Sequence, residues 1–342
     1  MAPRREQSPH ADVCVIIAAK DAGATIARAT SSALAEARVA EVVVVDDGSR
    51  DDATENAARS ADDGSGRLRV LRLPENHGPA HARNFAIENS SAPFLAILDA
   101  DDFFIPGRFD FMLDGGDWDF VADNILFLDE RLAESMPQVP VFDPEPSFVG
   151  FKEFIEGNIS RKGAERGEIG FLKPVMRRSF LNRHNLRYDP SLRLGEDFDL
   201  YARALAFGAR YKVVRHCGYG ATVRADSLSG RHRTLDLKHL YEADRKILAT
   251  LPLGKQDAEI LRRHERHIRA RYELRNFLDR KAQSGLFGAA AGMMLRPLAM
   301  PAVIAGVASD KWHAAKSRRA GSPVREVEPP RYLLAGRVTA QK

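Results

Sequence analysis

Three carboxylates, Asp99, Asp101 and Asp102, directly follow an apolar run in the stretch FLAILDADDFF. Two like charges repel each other by roughly 4 kcal/mol at 4 Å when the effective dielectric constant is about 20. The pattern therefore indicates that a positive group binds among them. Mg²⁺ and Mn²⁺ take carboxylate oxygens and usually complete their coordination shell with phosphate. A divalent-metal site that holds a diphosphate is one prediction, and a solvated turn or a helix N-cap is the structural alternative.

A basic residue is expected to meet the same phosphates. Arg83, in the stretch ENHGPAHARN, stands at the start of a predicted helix, although a plain surface position is equally compatible with the local sequence. Lys20, His77 and His81 are weaker candidates, because each is more typical of a loop or of the polar face of a helix.

A second acidic pair, Glu196 and Asp197, stands in the stretch RLGEDFDLYARAL, at the head of a strong helical pattern. Carboxylates favour helix N-termini, so capping is the structural interpretation. A carboxylate can also accept the proton of an attacking hydroxyl group. The local sequence leaves both roles open.

The elements that must position these residues are four apolar strand-like runs, VCVIIAA, EVVVVDD, LRVLRL and FLAIL. Helical stretches over residues 23–35, 49–61 and 79–90 separate them. Continuous apolar strands alternating with helices predict an open, mostly parallel α/β sheet. Ligands of such sheets bind at the carboxyl ends of the strands, where Asp46, Asp47 and the Asp99 cluster stand.

Composition narrows the class of protein. The chain has 342 residues, 44% of them hydrophobic, and a formal charge of +4, which is too mild to indicate nucleic-acid binding. Its two cysteines have no zinc or disulfide spacing, and no apolar segment follows the basic N-terminus, so a cytoplasmic protein is expected. Neither a G-x-G-x-x-G after the first strand nor a P-loop motif occurs, which argues against dinucleotide dehydrogenases and P-loop NTPases.

Four stretches, in this order and spacing, resemble the nucleotide-sugar half of family 2 glycosyltransferases, which have the GT-A fold. They are VIIAAKDAGATIARATSSAL, VVVVDDGSRDDA, NHGPAHARN and LAILDADDFFIPGR. The resemblance is strong over residues 13–108 and continues more loosely, through GEDFDL, to about residue 230. It implies a Rossmann-like, mostly parallel sheet flanked by helices, with a helical C-terminal extension. The implied activity is inverting, Mg²⁺- or Mn²⁺-dependent transfer of a sugar from a nucleotide diphosphate donor such as a UDP-hexose.

The resemblance also implies roles for single residues. The donor site is formed by Ala18, Lys20, Asp46, Asp47, Arg83, Asp99 and Asp101. Within it, Asp46 and Asp47 lie beside the base and ribose, and Arg83 faces the diphosphate. Ala18 and Lys20 depart from the proline and the aromatic-asparagine pair common in the family, so the choice of nucleotide stays open.

Other roles follow from the same likeness. Asp101 and Asp102 would hold the metal ion, Asp197 would be the catalytic base, and Glu196 would orient the base or the acceptor. A later basic segment would close over the diphosphate or form a solvated turn, and it consists of Arg231, His232 and Arg233.

The acceptor side is less specific. The Q-x-x-R-W signature of processive synthases is absent, which favours transfer of a single sugar. The chain most resembles bacterial transferases of exopolysaccharide assembly, of the succinoglycan type, which build on lipid-linked oligosaccharides. Two alternatives stay open. A sugar-phosphate nucleotidyltransferase would have a Gly-rich basic loop after the first strand, which AAKDAGATIARA fits poorly, and a non-catalytic polysaccharide assembly or binding protein would show no donor hydrolysis.

The predicted organisation has four parts: a flexible tail 1–11, a GT-A domain 12–235 with halves 12–108 and 109–235, a helical extension 236–320, and a disordered tail 321–342. The extension has a basic run, 261–281, and then an apolar stretch, 285–309, which contains Arg296 and two prolines. An interfacial helix pair on the cytoplasmic face of the membrane is the favoured interpretation, ahead of a buried domain helix and a true span.

Overall fold

The structure, a computed structural model, describes residues 11–113, 115–132, 139–140, 142, 145–159, 169–223, 233–294, 300, 303–304, 306 and 329–334. The chain divides into two compact units, Met1–Ala225 with Pro329–Lys342, and Asp226–Glu328. The sequence places the boundary between domain and extension after residue 235, and the division in the structure lies after residue 225. The tail predicted for residues 1–11 lies outside the described residues except for Ala11.

The first unit is built on one mixed, mostly parallel sheet. Its described strands are β1 (Val13–Ala19), β2 (Val39–Asp47), β3 (Leu68–Leu73), β4 (Phe94–Ile97), β5 (Phe103–Phe104), β6 (Phe120–Asp129), β7 (Ser147–Val149), β8 (Val175–Arg177), β9 (Tyr211–Val223) and β10 (Arg331–Tyr332). They follow the order β3-β2-β1-β4-β8-β6-β9-β5, with β10 beside β6 and β7 beside β9. The four strands predicted from the apolar runs are β1 to β4, and all pairs among them are parallel.

Helices cover the faces of this sheet, which is why the central strands β1 and β4 are apolar along their whole length. They are α1 (Ile26–Leu34), α2 (Ala53–Ser60), α3 (Pro79–Glu88), α4 (Arg108–Met112), α5 (Phe151–Gly157), α6 (Arg178–Arg183) and α7 (Glu196–Ala206). Pro79 stands in the first turn of α3, where its missing N–H costs no helical hydrogen bond. The helices that the sequence predicts between the first four strands therefore occur where expected.

Strand β8 changes the direction of the sheet. It lies between β4 and β6 and is antiparallel to both, with Val175 opposite Ala96 on one side and Val121 on the other. Because β8 runs against β4, the residues just before β8 lie at the carboxyl end of β4. This pairing brings a segment from the second half of the unit to the edge where the Asp99 cluster stands.

A fully buried ion pair supports the same region. Arg108 and Asp123 both have 0% side-chain exposure, and Arg108 Nη2 lies 2.8 Å from Asp123 Oδ1. Arg108 Nη2 also donates to the Lys173 carbonyl oxygen at 2.6 Å, and the Gly218 N–H donates to Asp123 Oδ2 at 2.8 Å. The guanidinium stacks over the ring of Phe104, 4.6 Å from its centroid. One buried pair thus joins α4, β6, β9 and the segment before β8.

Asp123→Asn is expected to lower the free energy of unfolding by about 3–5 kcal/mol, because it leaves the buried guanidinium without its counter-charge. Urea unfolding followed by circular dichroism measures the change. Glu55→Gln is the control, since it breaks the exposed Glu55–Arg59 pair and should cost less than about 1 kcal/mol. Equal effects of the two substitutions would contradict a structural role for the buried pair.

Part of the C-terminal segment belongs to the sheet. Within 321–342, which the sequence predicts as disordered, Arg331 and Tyr332 form β10 and pair antiparallel with β6. β8 covers only the first residues of β6, and β10 fills the edge beyond it. The Asn124 side chain holds the segment that follows β10. Its Oδ1 accepts a hydrogen bond from the Leu334 N–H at 2.8 Å, and its Nδ2 donates to the Leu334 carbonyl oxygen at 3.2 Å. Because β10 pairs with a strand about 200 residues earlier in the chain, no local sequence pattern predicts this pairing.

The second unit contains two long helices, α8 (Thr234–Thr250) and α9 (Lys255–Met294), which pack against each other. Their shared core consists of buried side chains that include Leu237, Leu240, Ile247, Leu261 and Ile268. α9 is interrupted at Gly285, where φ is +71°. That conformation favours glycine, and it marks the junction between the basic part of the helix and its apolar part.

Candidate active site

The carboxyl end of β4 meets the head of α7 around one arginine. Asp99 follows β4, and Glu196 and Asp197 open α7 after Gly195, whose φ is +74°. The buried Arg83, from α3, donates to Glu196 Oε1 at 2.8 Å, to Asp197 Oδ1 at 3.1 Å and to Asp99 Oδ1 at 2.9 Å. The structure thus brings together four residues from three separate sequence motifs.

Lys173 completes this cluster, and the sequence analysis did not find it. Its Nζ lies 2.8 Å from Asp197 Oδ2 and 2.9 Å from Asp99 Oδ2. In both aspartates, therefore, the two carboxylate oxygens pair with different cations. Arg83 contacts the Oδ1 atoms and Lys173 contacts the Oδ2 atoms. The available signal was a single lysine in the otherwise apolar run FLKPVM.

The charges of the cluster shift its protonation equilibria. Burial opposes the ionisation of Asp99, yet Lys173 and Arg83 together hold its pKa at about 2. Burial raises the pKa of Glu196 above its ordinary value, although Arg83 acts in the opposite direction. Burial disfavours the charged form of Lys173, but Asp197 and Asp99 raise its pKa above the ordinary value. Asp99 and Lys173 are therefore ionised at neutral pH.

Asp102 is anchored inside the protein. It is buried, its Oδ2 accepts a hydrogen bond from the Tyr219 hydroxyl at 2.7 Å, and its Oδ1 accepts one from the Thr222 N–H at 2.9 Å. Burial, with the negative charges of Asp99 and Asp101, raises its pKa well above the ordinary value, against the effect of both hydrogen bonds. The Asp102 carboxyl therefore connects the loop after β4 to β9.

Asp101 lies next to it and is half-buried. Its backbone carbonyl accepts a hydrogen bond from Arg28 Nη2 at 2.8 Å, and the same nitrogen donates to Thr222 Oγ1 at 2.8 Å. Over the described residues, no group of three or more His, Cys, Asp or Glu side chains has the arrangement to hold a metal ion.

The two aspartates after β2 hold loops in place. Asp46 is fully buried and accepts hydrogen bonds from the Ser49 N–H at 3.0 Å and the Ser49 hydroxyl at 2.5 Å. Asp47 accepts hydrogen bonds from the N–H groups of His77 and Gly78, at 2.8 and 2.7 Å. Asp47 thereby fixes the loop that leads into α3, the helix that carries the arginine of the cluster.

Two more predicted donor residues lie at the end of β1. Ala18 is half-buried and pairs with Val45 in the neighbouring strand. Lys20 is exposed, and its Nζ donates to the Gly48 carbonyl oxygen at 3.1 Å. Both lie at the sheet edge where the parallel strands β1, β2 and β4 end, as the sequence predicts.

The basic segment predicted to close over a diphosphate falls mostly outside the described residues, which exclude Arg231 and His232. Arg233 is described and belongs to the second unit. Its backbone N–H donates to Asp236 Oδ2 at 2.7 Å at the start of α8. Closure over a ligand stays a prediction for this segment.

A parallel sheet with carboxylates at its strand ends, facing an acidic pair at the head of a helix, is the architecture of a GT-A glycosyltransferase. The family model "Glycosyl transferase family 2" matches residues 14–179. The succinoglycan biosynthesis protein ExoU of Rhizobium meliloti (strain 1021) is 58% identical over 314 residues, which cover 91% of each chain. ExoO of the same organism is 33% identical over 310 residues, 84% of this chain and 83% of that one. The chain belongs to glycosyltransferase family 2.

Solved structures agree on the fold. TarS 1-349 of S. aureus, in complex with UDP-GlcNAc, superimposes with a TM-score of 0.57 at 20% identity and covers 86% of this chain and 78% of its own. The mannosyltransferase PcManGT of Pyrobaculum calidifontis, in complex with GDP-Man and Mn²⁺, has a TM-score of 0.52 at 17% identity, with 90% and 82% covered. The predicted GT-A fold is confirmed, and family membership supports sugar transfer over the nucleotidyltransferase alternative.

Proposed function

We propose that this glycosyltransferase moves one sugar, with inversion, from a UDP-hexose to a lipid-linked oligosaccharide in bacterial exopolysaccharide synthesis. The observation that carries the proposal is the placement of Asp197. It stands at the head of α7, with both carboxylate oxygens held by cations, beside the strand-end Asp99. The relation to ExoU, a succinoglycan biosynthesis protein, supports the exopolysaccharide product.

Asp197 acts as the base in this proposal. Inverting transfer needs a carboxylate that takes the proton of the attacking acceptor hydroxyl as the new glycosidic bond forms at the anomeric carbon. The leaving nucleoside diphosphate carries away the electron pair of the old bond. Burial raises the pKa of Glu196, and this residue orients the acceptor or the base.

The donor is proposed to lie along the sheet edge where β1, β2 and β4 end. The base and ribose are assigned to the loops held by Asp46 and Asp47. Ala18, Lys20 and Asp99 are proposed to lie beside them, and Arg83 is proposed to face the diphosphate. TarS and PcManGT are in complex with different nucleotides, so the fold alone does not select one. UDP is proposed as the nucleotide because residues 13–108 resemble the nucleotide-sugar half of family 2 glycosyltransferases.

The donor set at this edge fits a cation that arrives with the diphosphate. Mg²⁺ is usually bound through one or two carboxylates plus substrate phosphates. Burial raises the pKa of Asp102, and the negative charges of Asp99 and Asp101 raise it further. A positive charge beside these three carboxylates would be favoured. Asp101 and Asp102 are the proposed protein ligands of the cation, and Asp102 is also anchored to β9 by its hydrogen bonds. When bound, Mg²⁺ or Mn²⁺ would neutralise charge on the leaving diphosphate.

One experiment tests the function as a whole. A panel of nucleotide sugars is screened by thermal shift with and without Mn²⁺, since a ligand at 100 times its Kd adds about 2.7 kcal/mol of stability. The best donor is then offered with a lipid-linked oligosaccharide fraction, and the anomeric configuration of the product is determined by NMR. Inverted product is expected. Retained configuration, or binding without transfer or donor hydrolysis, would contradict the proposal.

The second unit is proposed to contact the membrane that carries the acceptor. In the described part of the chain, no helix has the length and apolar character needed to cross a bilayer. Beyond the interruption at Gly285, Leu286 is 60% exposed and Phe287 is 92% exposed. Before it, Leu261–Lys281 contains eight Arg or Lys residues against three acids. Exposed apolar side chains beside a basic run suit the surface of an anionic bilayer. Arg296 and both prolines of the apolar stretch lie outside the described residues.

The double substitution Leu286→Gln with Phe287→Gln is expected to weaken binding to anionic vesicles by about tenfold or more, since burying each side chain contributes about 1.5–3 kcal/mol. Vesicle sedimentation at low and high salt measures it. Point substitutions are preferable to truncation after Ser284, because truncation would also remove β10 from the sheet. Phe111→Gln, at a 58% exposed site in the first unit, is the matched control. Equal binding by all three proteins would overturn the membrane assignment.

A further inference from the structure

Lys173 has no assigned role, and its position is unusual for a lysine. Lys173 is only 7% exposed, whereas a lysine is almost never buried unless it is paired. Nζ contacts two carboxylates and bridges them, at 2.8 Å to Asp197 Oδ2 and at 2.9 Å to Asp99 Oδ2. Asp99 comes from the half of the unit proposed to bind the donor, and Asp197 from the half proposed to bind the acceptor. Lys173 therefore connects the two sides of the reaction.

The lysine is itself held from behind. Its backbone carbonyl accepts the 2.6 Å hydrogen bond from Arg108 Nη2, and Arg108 is locked in a fully buried pair with Asp123. The chain then enters β8, which is fixed between β4 and β6. A long flexible side chain is thus attached to a rigid base, and only its ammonium group reaches the two carboxylates.

Arg83 and Lys173 differ in how many carboxylates they hold in place. Arg83 bonds the Oδ1 atoms of Asp99 and Asp197 and also Glu196, so removing it would disturb three carboxylates. Lys173 contacts only the Oδ2 atoms, one on each aspartate. Without it, Asp197 would be held by a single oxygen, and the carboxylate could rotate about its Cβ–Cγ bond.

We propose that Lys173 is a positioning residue of the transfer reaction, which fixes the orientation of the Asp197 carboxylate relative to the donor-side Asp99. This inference rests on the proposed role of Asp197 as the base. A misplacement of about 1 Å at a reacting group can cost roughly 10²-fold in rate. Asp99, which is proposed to bind the donor, loses this contact without Lys173 but keeps its bond to Arg83. The effect of Lys173 is therefore expected on kcat more than on donor affinity.

The test compares Lys173→Met, Lys173→Arg and the exposed-site control Lys152→Met in the full chain. Lys173→Met is expected to lower kcat by at least about tenfold while the Kd of the donor stays within about threefold. Lys173→Arg keeps the charge and should recover part of the kcat, and Lys152→Met should behave as wild type. A fall in donor affinity that matches the fall in kcat, or an unchanged kcat, would overturn the proposal. Circular dichroism identifies any variant that does not fold, and Lys173→Arg then carries the kinetic comparison.

A second measurement does not depend on activity. Urea unfolding of Lys173→Met, Asp197→Asn and the double variant forms a double-mutant cycle, which is expected to show coupling between the two side chains. Additive effects would contradict the bridge seen in the structure. A wild-type protein that transfers no sugar would instead refute the proposed function, so the two failures are distinguishable.

Discussion

Asp197→Asn is expected to lower kcat for sugar transfer by about 10²-fold or more, the usual scale for loss of a general base. Asparagine keeps the shape of the side chain and can still accept a hydrogen bond from Arg83 or Lys173, but it does not take the proton of the acceptor hydroxyl. The other carboxylate between the two cations, Asp99, keeps both of its ion pairs. The Kd of the nucleotide sugar is therefore expected to stay near the wild-type value.

Initial-rate kinetics with saturating donor measure kcat, and isothermal titration calorimetry measures the Kd. Asp62→Asn is the control, because Asp62 is exposed and its side chain accepts a hydrogen bond from the nearby Gly64 N–H. A near wild-type rate for Asp197→Asn would show that another group accepts the proton, and Glu196→Gln would then be the next variant. A loss of donor binding equal to the loss of rate would instead place Asp197 in the donor site.

The first half of the fold follows from local patterns. The runs that form β1, β4 and the centre of β2 are apolar because both faces of the sheet are covered there. The helices between the first four strands are long enough to connect parallel strands. The same logic placed Asp46, Asp47 and Asp99 at strand ends. It did not show that Asp47 is used to hold the loop before α3, because the N–H groups of His77 and Gly78 that it binds stand 30 and 31 residues further along the chain.

The second half depends on contacts between residues far apart in sequence. Nothing local indicates that β8 lies antiparallel between β4 and β6, and this placement brings Lys173 to Asp99. Asp102 is predicted as an open metal ligand at the end of a strand. The structure shows it bonded to Tyr219, which stands 117 residues further along the chain. A pattern reveals which residue types are present at a strand end, but tertiary partners decide which of them stay open.

Removal of divalent cations is expected to abolish turnover, and addition of Mn²⁺ or Mg²⁺ to restore it. The reason is the charge at the end of β4. Asp99, Asp101 and Asp102 bring three carboxylates together there, and Asp101 and Asp102 are the residues proposed to hold a cation that a diphosphate brings with it. EDTA treatment followed by a titration with each metal, with sugar transfer as the readout, measures the dependence.

Substitutions of Asp101 and Asp102 show how much each aspartate contributes to the dependence of turnover on the metal. Asp101→Asn is expected to abolish transfer and the enhancement of nucleoside diphosphate binding by Mn²⁺. Asp102→Asn is expected to lower the stability as well, because it alters a buried group that accepts hydrogen bonds from Tyr219 and Thr222, and each such bond contributes about 1 kcal/mol or more. Asp110→Asn, at an exposed site on α4, is the control for both. Full turnover in EDTA would remove the metal from the proposed reaction. Stabilisation of the cleaved diphosphate would then fall to the cationic side chains of the site, with Arg83 the first to test.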